Sequence, residues 1–164
     1  MILIADAAPI IFLAKINQLS LIHELFNAEV LVPSVVQSEI IGTEVPPDEE
    51  RLLTGFLSKC KVVDLKKTDI FAKSLSFADN CVLTLAHKKR ADIILSDDRL
   101  LRRMAVIEGF RVIGTLGILL RASKESLLPA ENAADMLDHL VEEQNFRIST
   151  RVYEATRKAF LQTK

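Results

Sequence analysis

Tryptophan is absent from this chain of 164 residues, tyrosine occurs once, and the other aromatic residues are eight phenylalanines. There is thus little sign of the aromatic platform on which single-strand binders stack successive bases. Cysteine is equally scarce. Cys60 and Cys81 belong to no Cys-x-x-Cys or Cys/His pattern, which excludes a thiolate metal site and a disulfide framework and leaves two reduced packing thiols. Charge is balanced at 21 basic against 22 acidic side chains, so no global positive field gathers nucleic acid, and any such contact must use a local patch. No apolar run reaches the ~18 residues of a membrane helix. The apolar opening from Met1 to Ala14 lacks a basic leader and is interrupted by Asp6 and Pro9, unlike a signal peptide. A soluble cytoplasmic protein with no membrane partner is expected. Ala7-Ala8-Pro9 after the first apolar run has no Gly-x-Gly-x-x-Gly, so no nucleotide cofactor is expected. Ala8 also stands where a haloacid-dehalogenase-type phosphatase requires its second Asp.

Two short apolar runs end in acids: Ile2-Leu3-Ile4-Ala5 leads into Asp6, and Ile93-Ile94-Leu95-Ser96 into Asp97-Asp98. Both have the character of parallel strands buried on two faces. Parallel α/β sheets bind ligands beyond the carboxyl ends of their strands, and carboxylates crowd there only if protons or metal ions offset their repulsion. Metal-dependent phosphodiester chemistry is therefore the first expectation.

At this length, with 49% hydrophobic residues, one domain with a full core is expected over 1–164, with a C-terminal helical extension at about 129–164. The pattern predicts strands at 2–6, 30–32, 62–65, 93–96 and 111–113. Helices are predicted from Pro9, over 19–26, from Pro33-Ser34 to Gly42, from an Asp48 cap to Leu57, over Asp69–Leu75, 77–89, 98–108, from Gly114-Thr115 to Ala122, from Pro129 to Glu143, and over 150–161. Thr43 to Pro47 reads as the clearest loop. Alternating strands and helices indicate a three-layer α/β/α sandwich with a central, mostly parallel sheet.

Projected at about 100° per residue, Glu39 falls between Val35 and Val36, and Asp79 falls among Val82, Leu83 and Ala86. Acids on inward helix faces need partners, and Asp6, Glu39, Asp79 and Asp98 could satisfy one another through a bound cation. Each also has a plainer reading: Ser76-x-x-Asp79 fits a capping box, Asp97 or Asp98 could cap the next helix, and Asp6 could end a strand.

The ordered set of Asp6; Leu31-Val32-Pro33-Ser34-Val35-Val36 leading to Glu39; Leu75-Ser76-Phe77-Ala78-Asp79; and Ile94-Leu95-Ser96-Asp97-Asp98-Arg99 resembles the PIN domain, a family of metal-dependent ribonucleases. The wider pattern, with Ile113-Gly114-Thr115-Leu116-Gly117 and Phe146-Arg147-Ile148-Ser149 before Tyr153, is similar to its DUF3368 branch. The resemblance implies that Asp6, Glu39, Asp79 and Asp98 are catalytic and hold Mg²⁺ or Mn²⁺, with Asp97 as a neighbouring ligand and Ser96 supporting them. It further implies endonucleolytic hydrolysis of RNA, a small antitoxin protein as a partner, and pairing of two copies. Ile118, Leu119 and the segment from Ala133 to Leu140 offer apolar surface for that homodimer. Arg99, Arg102 and Arg103 are the candidates for substrate contact, turned outward because Leu100, Leu101, Met104 and Ala105 are expected to face inward.

One departure matters. The family usually carries a hydroxyl or amide side chain two places after the first acid, where this chain has Ala8. Losing such an outer hydrogen bond weakens metal binding by about 10–100-fold, so the alternative is a catalytically weak PIN-like module that binds RNA or protein.

Overall fold

The structure, a computed structural model, describes residues 1–42 and 44–162. Thr43, at the start of the expected loop, and residues 163–164 of the C-terminal extension lie outside the described residues. Five short strands, β1 (Ile2–Ala5), β2 (Glu29–Pro33), β3 (Lys61–Val63), β4 (Ile93–Leu95) and β5 (Arg111–Ile113), form one parallel sheet ordered β3-β2-β1-β4-β5. β1 is central, with Ile4 opposite both Leu31 and Ile94. Leu3, Ile4 and Ala5 are fully buried, as a central strand covered on both faces requires.

The chain first winds from β1 out to β3 through α1 (Ala7–Lys15), α2 (Ser20–Phe26), α3 (Ser34–Ile41) and α4 (Pro47–Leu57). It then reverses across β1 to β4 and β5 through α5 (Phe77–Lys89) and α6 (Arg99–Ile107). Right-handed crossovers running in opposite directions place their helices on opposite sheet faces, which makes the three layers. The reversal is a topological switch point beside β1, where open α/β sheets form a crevice. After β5, α7 (Thr115–Lys124) returns to pack on α1 and α2, and α8 (Ala130–Glu142) and α9 (Thr150–Leu161) pack on each other and on α7. Tyr153 Oη donates to Asp138 Oδ1 (2.6 Å) and Arg157 Nε to the same carboxylate (3.3 Å), fastening α9 to α8.

Away from the acid-bearing turns, the structure differs from the sequence expectations at four places. Asp69–Leu75 is not helical: Asp69 N–H donates to Thr84 Oγ1 (2.9 Å) and Phe71 N–H to Asn80 Oδ1 (2.9 Å), so α5 supplies partners that a helix would otherwise provide. β3 stops at Val63, and Asp64 beyond it accepts from Ser34 Oγ. α4 begins at Pro47, so Asp48 lies in its first turn, favourable to the helix dipole, and is not its cap. Ile118, Leu119, Ala133, Leu137 and Leu140 are all fully buried within the chain. They join the core with Phe160 of α9, so these five side chains are not the surface offered to a second copy. Among the described residues no helix is long and apolar enough to cross a membrane.

Candidate functional site

Asp6 stands where β1 hands over to α1. Its N–H continues the ladder to Leu95 O (2.9 Å), and its Oδ1 caps α1 by accepting from Ala7 N–H (2.8 Å). Its Oδ2 accepts from Ser96 Oγ (3.0 Å), and that hydroxyl in turn accepts from Asp98 N–H (3.1 Å). Ser96 is fully buried. One hydroxyl therefore joins the ends of β1 and β4 and carries the turn that presents Asp98, whose Oδ1 caps α6 by accepting from Leu101 N–H (2.8 Å).

Asp79 completes a capping box on α5, with its Oδ2 accepting from Ser76 N–H (2.8 Å) and its own N–H donating to Ser76 Oγ (3.1 Å). It is half-buried. Glu39, near the end of α3, is exposed, not held inside an apolar arc. α3 spans only Ser34–Ile41 and buries just Val36 and Ile40 fully; Ser34, Val35 and Gln37 are half-buried, and Glu39 lies with Ser38 and Ile41 on the exposed side. Even so, both acids act on Asp6. Burial raises the Asp6 pKa from 3.8 to about 6, and the charges of Asp79 and Glu39 push it the same way against the bonds from Ala7 and Ser96. Asp6, Asp79 and Glu39 thus share one electrostatic neighbourhood, and Asp98 joins it through Ser96. Among the described residues no three His, Cys, Asp or Glu side chains are grouped closely enough to hold one ion as they stand. Oδ1 of Asp79 and Oδ2 of Asp98 accept no hydrogen bond within the described residues.

Asp97 takes another direction. Its Oδ1 accepts from Thr115 N–H (2.8 Å) and its Oδ2 from Thr115 Oγ1 (2.6 Å), which holds the first turn of α7 against the end of β4. Burial raises its pKa, while the Thr115 bonds and the Arg102 guanidinium pull it down. Arg102 is not turned to solvent: it is half-buried and its Nη1 donates to Ser96 O (2.8 Å). The reason is helical phase. With Asp98 as cap, Leu101 and Ala105 face the sheet, Leu100 is carried round to 49% exposure, and Arg102 follows the strand end. Arg99 and Arg103 are exposed. Gly114 is required in this corner, because a Cβ there would collide with Asp97 Oδ1 and lie 2.9 Å from Arg102 Nη1. In the sequence, Gly114-Thr115 reads as a helix start and as part of the family pattern, with no part in the site. Their adjacency between a strand and a helix is a signal that becomes readable only with Asp97 in view.

On its β5 side, Asp98 opens into a groove of about 660 Å³ that runs past Ala8, Leu116 and residues 145–148. Ala8, where a hydroxyl or amide is usual, lies on this wall.

The sequence model of a PIN domain, DUF3368, matches residues 2–161. Comparison with curated proteins finds no match. Among solved structures, a domain of a functionally unknown protein from Methanocaldococcus jannaschii is similar at 20% identity and a TM-score of 0.48, over 69% of this chain and 89% of that one. PIN domains are typically nucleases and generally use divalent metals. A match running from the first strand to the last helix takes in every acid-bearing turn described above: the chain belongs to the PIN-domain family.

Proposed function

We propose that the protein is a divalent-metal-dependent endoribonuclease that hydrolyses RNA phosphodiester bonds at the carboxyl edge of its sheet. The observation that carries this reading is Asp6, a buried carboxyl group held near pKa 6 with Asp79 and Glu39 adding negative charge around it. A buried acid among like charges is stabilised by a cation more than by any neighbour present.

The donor set fits a hard ion. Asp6, Glu39, Asp79 and Asp98 offer carboxylate oxygens only, the chemistry preferred by Mg²⁺ and Mn²⁺. Bound there, such an ion would lower the pKa of a coordinated water and stabilise the leaving 3′-oxygen. The chain's own residues prepare that site. Ser96 fixes the separation of the Asp6 and Asp98 turns, the caps on α1, α5 and α6 hold the carboxylates against rotation, and exposed Arg99 and Arg103 offer phosphate contacts beside Asp98. Asp97 serves the frame through Thr115 and is left out of the ligand set.

A metal-titrated cleavage assay on mixed RNA, with Asp98→Asn alongside, tests this. Cleavage that needs Mn²⁺ or Mg²⁺ and is lost in the variant is expected; RNA left intact at every metal concentration would overturn it. The second reading, a catalytically weak PIN-like module, draws on the absence of a ready ion cluster among the described residues and on Ala8. Metal-independent RNA binding without cleavage would select it. On the nuclease reading, a toxin held by a small antitoxin protein is the physiological setting, and pairing of copies must use residues other than the buried Ile118, Leu119, Ala133, Leu137 and Leu140.

A further inference from the structure

The groove beside Asp98 is built by the segment between α8 and α9. Phe146 is 5% exposed, stacks edge-on against Phe12 with ring centres 4.8 Å apart, and donates its N–H to Leu140 O (3.0 Å). This anchor turns its two neighbours outward: Asn145, in the left-handed region at φ 55°, and Arg147 both line the groove. Among the described residues neither side chain makes a hydrogen bond or ion pair with the protein. Phe12, Leu116 and Val152 line the same groove with apolar surface. The groove therefore combines an apolar floor, one amide with donors and acceptor to spare, and one uncommitted guanidinium, and it opens at an acid of the proposed reaction centre.

Its volume is within the ~300–1,000 Å³ of small-ligand sites. A paired base cannot enter such a cleft, whereas an unpaired one can be splayed into it, covered by apolar or guanidinium surface and bonded at its edge. We infer that this groove takes the unpaired nucleobase adjacent to the phosphate presented at Asp98, with Arg147 and Asn145 contacting that nucleotide. This rests on the RNA-cleaving reading and specifies its substrate: the strand must be unpaired at the cut, with one base buried in place of a row of bases stacked on a platform. Because base-edge contacts come from the segment 145–148, base preference at one position next to the cut resides there, away from the acids.

The test measures binding and cleavage separately. In EDTA, fluorescence anisotropy follows fluorescein-labelled ten-nucleotide oligo(U) and oligo(A), and a fully paired RNA hairpin, on the full chain. Val152 is 42% exposed, so Val152→Trp can fill the groove without disturbing the core. Arg147 is exposed, so Arg147→Ala cannot unfold the protein through lost packing. The expected result is that both variants weaken single-strand binding by about tenfold, the scale of one stacked base, that the hairpin binds at least tenfold more weakly than the oligomers, and that Arg90→Ala at the opposite sheet edge changes nothing. An abasic site should matter at one position of the oligomer, and Val152→Trp should remove that position's effect. Unaltered affinity in Val152→Trp and Arg147→Ala, or a hairpin bound as tightly as the oligomers, overturns the inference, as does a Val152→Trp effect confined to light-scattering mass, which would mark the groove as a protein interface. Cleavage of the same oligomers in Mn²⁺ at wild-type kcat/KM by both variants sinks the groove and spares the nuclease reading. Groove-dependent binding without cleavage does the reverse.

Discussion

Replacing Asp6 by Asn in the metal-free protein should make it more stable at neutral pH, although it removes a proposed catalytic carboxylate. Asp6 is 7% exposed and its pKa rises from 3.8 to about 6, a difference of about 2 units or ~3 kcal/mol between its charged and neutral forms. Because the folded value is the higher one, the native state binds this proton more tightly than the unfolded chain does. The associated stability is fully present below about pH 4 and is lost as pH rises through about 6. Asn is neutral throughout and carries no such loss. Its amide would, however, point Nδ2 at the Ser96 hydroxyl, which already accepts from Asp98 N–H, and one impaired hydrogen bond costs about 1 kcal/mol. The net gain above pH 7 is then about 2 kcal/mol, or roughly 4–8 °C in Tm for a chain of this size. Below pH 4 the variant should be the less stable by about 1 kcal/mol. Urea denaturation in EDTA from pH 3.5 to 8 reads both ends, and the difference between the two proteins isolates Asp6 from other titrating groups. Parallel curves for wild type and variant across that range would show that Asp6 is not held near 6, and the main support for a cation site would go with it.

Mn²⁺ should raise the wild-type Tm by mass action on the native state, and Asp79→Asn should shrink that shift while leaving the apo protein equally or more stable; an unchanged metal response by differential scanning fluorimetry removes Asp79 from the ligand set. Gly114→Ala should cost about 1–3 kcal/mol by urea denaturation, since Asp97 and Arg102 cannot both keep their places beside a new methyl group. Arg102→Ala and Arg103→Ala should part company: the first loses about 1–3 kcal/mol of stability with the bond to Ser96 O, whereas the second leaves stability within about 0.5 kcal/mol and lowers the log–log salt slope of RNA binding by about 0.7. Equal stability effects would mean that both arginines are solvated. Asp98→Asn should abolish cleavage with RNA binding near normal, because Asn still caps α6; a variant that loses binding as well would place Asp98 in substrate recognition.

The central strands were legible because burial on both faces leaves continuous apolar runs, as in Leu3–Ala5 and Ile93–Leu95. Asp98, read as an acid at the sheet edge, and Asp79, read as one on an inward helix face, were each also legible as a helix cap, and the capping roles rest on residues within three positions. What escaped the sequence depends on distant partners. The course of residues 69–71 is decided by Thr84 and Asn80 on α5, and the direction of Asp97 by Thr115, 18 positions on. Arg102 is drawn inward by a carbonyl whose placement requires the finished β4–α6 corner. The apolar residues of α7 and α8 were assigned to a second copy because no periodicity announces that they will join Phe160 of α9 in the chain's own core. Asn145 and Arg147 gave no signal of their own; their outward course follows from Phe146 between them.

The hydroxyl of Ser96 joins two turns that lie 90 residues apart in the chain. At a synthesis rate of about 5–20 residues per second, roughly 5–20 s pass between the emergence of the first acid and that of its tether. Throughout that interval the nascent polypeptide holds Asp6, then Glu39, then Asp79, but no strand to bring the last acid beside the first. If the chain cuts RNA as proposed, it is made on its own class of substrate, by a machine built of RNA. The interleaved order of this sheet would then keep the unfinished chain without its assembled acids until β4 slots in next to β1.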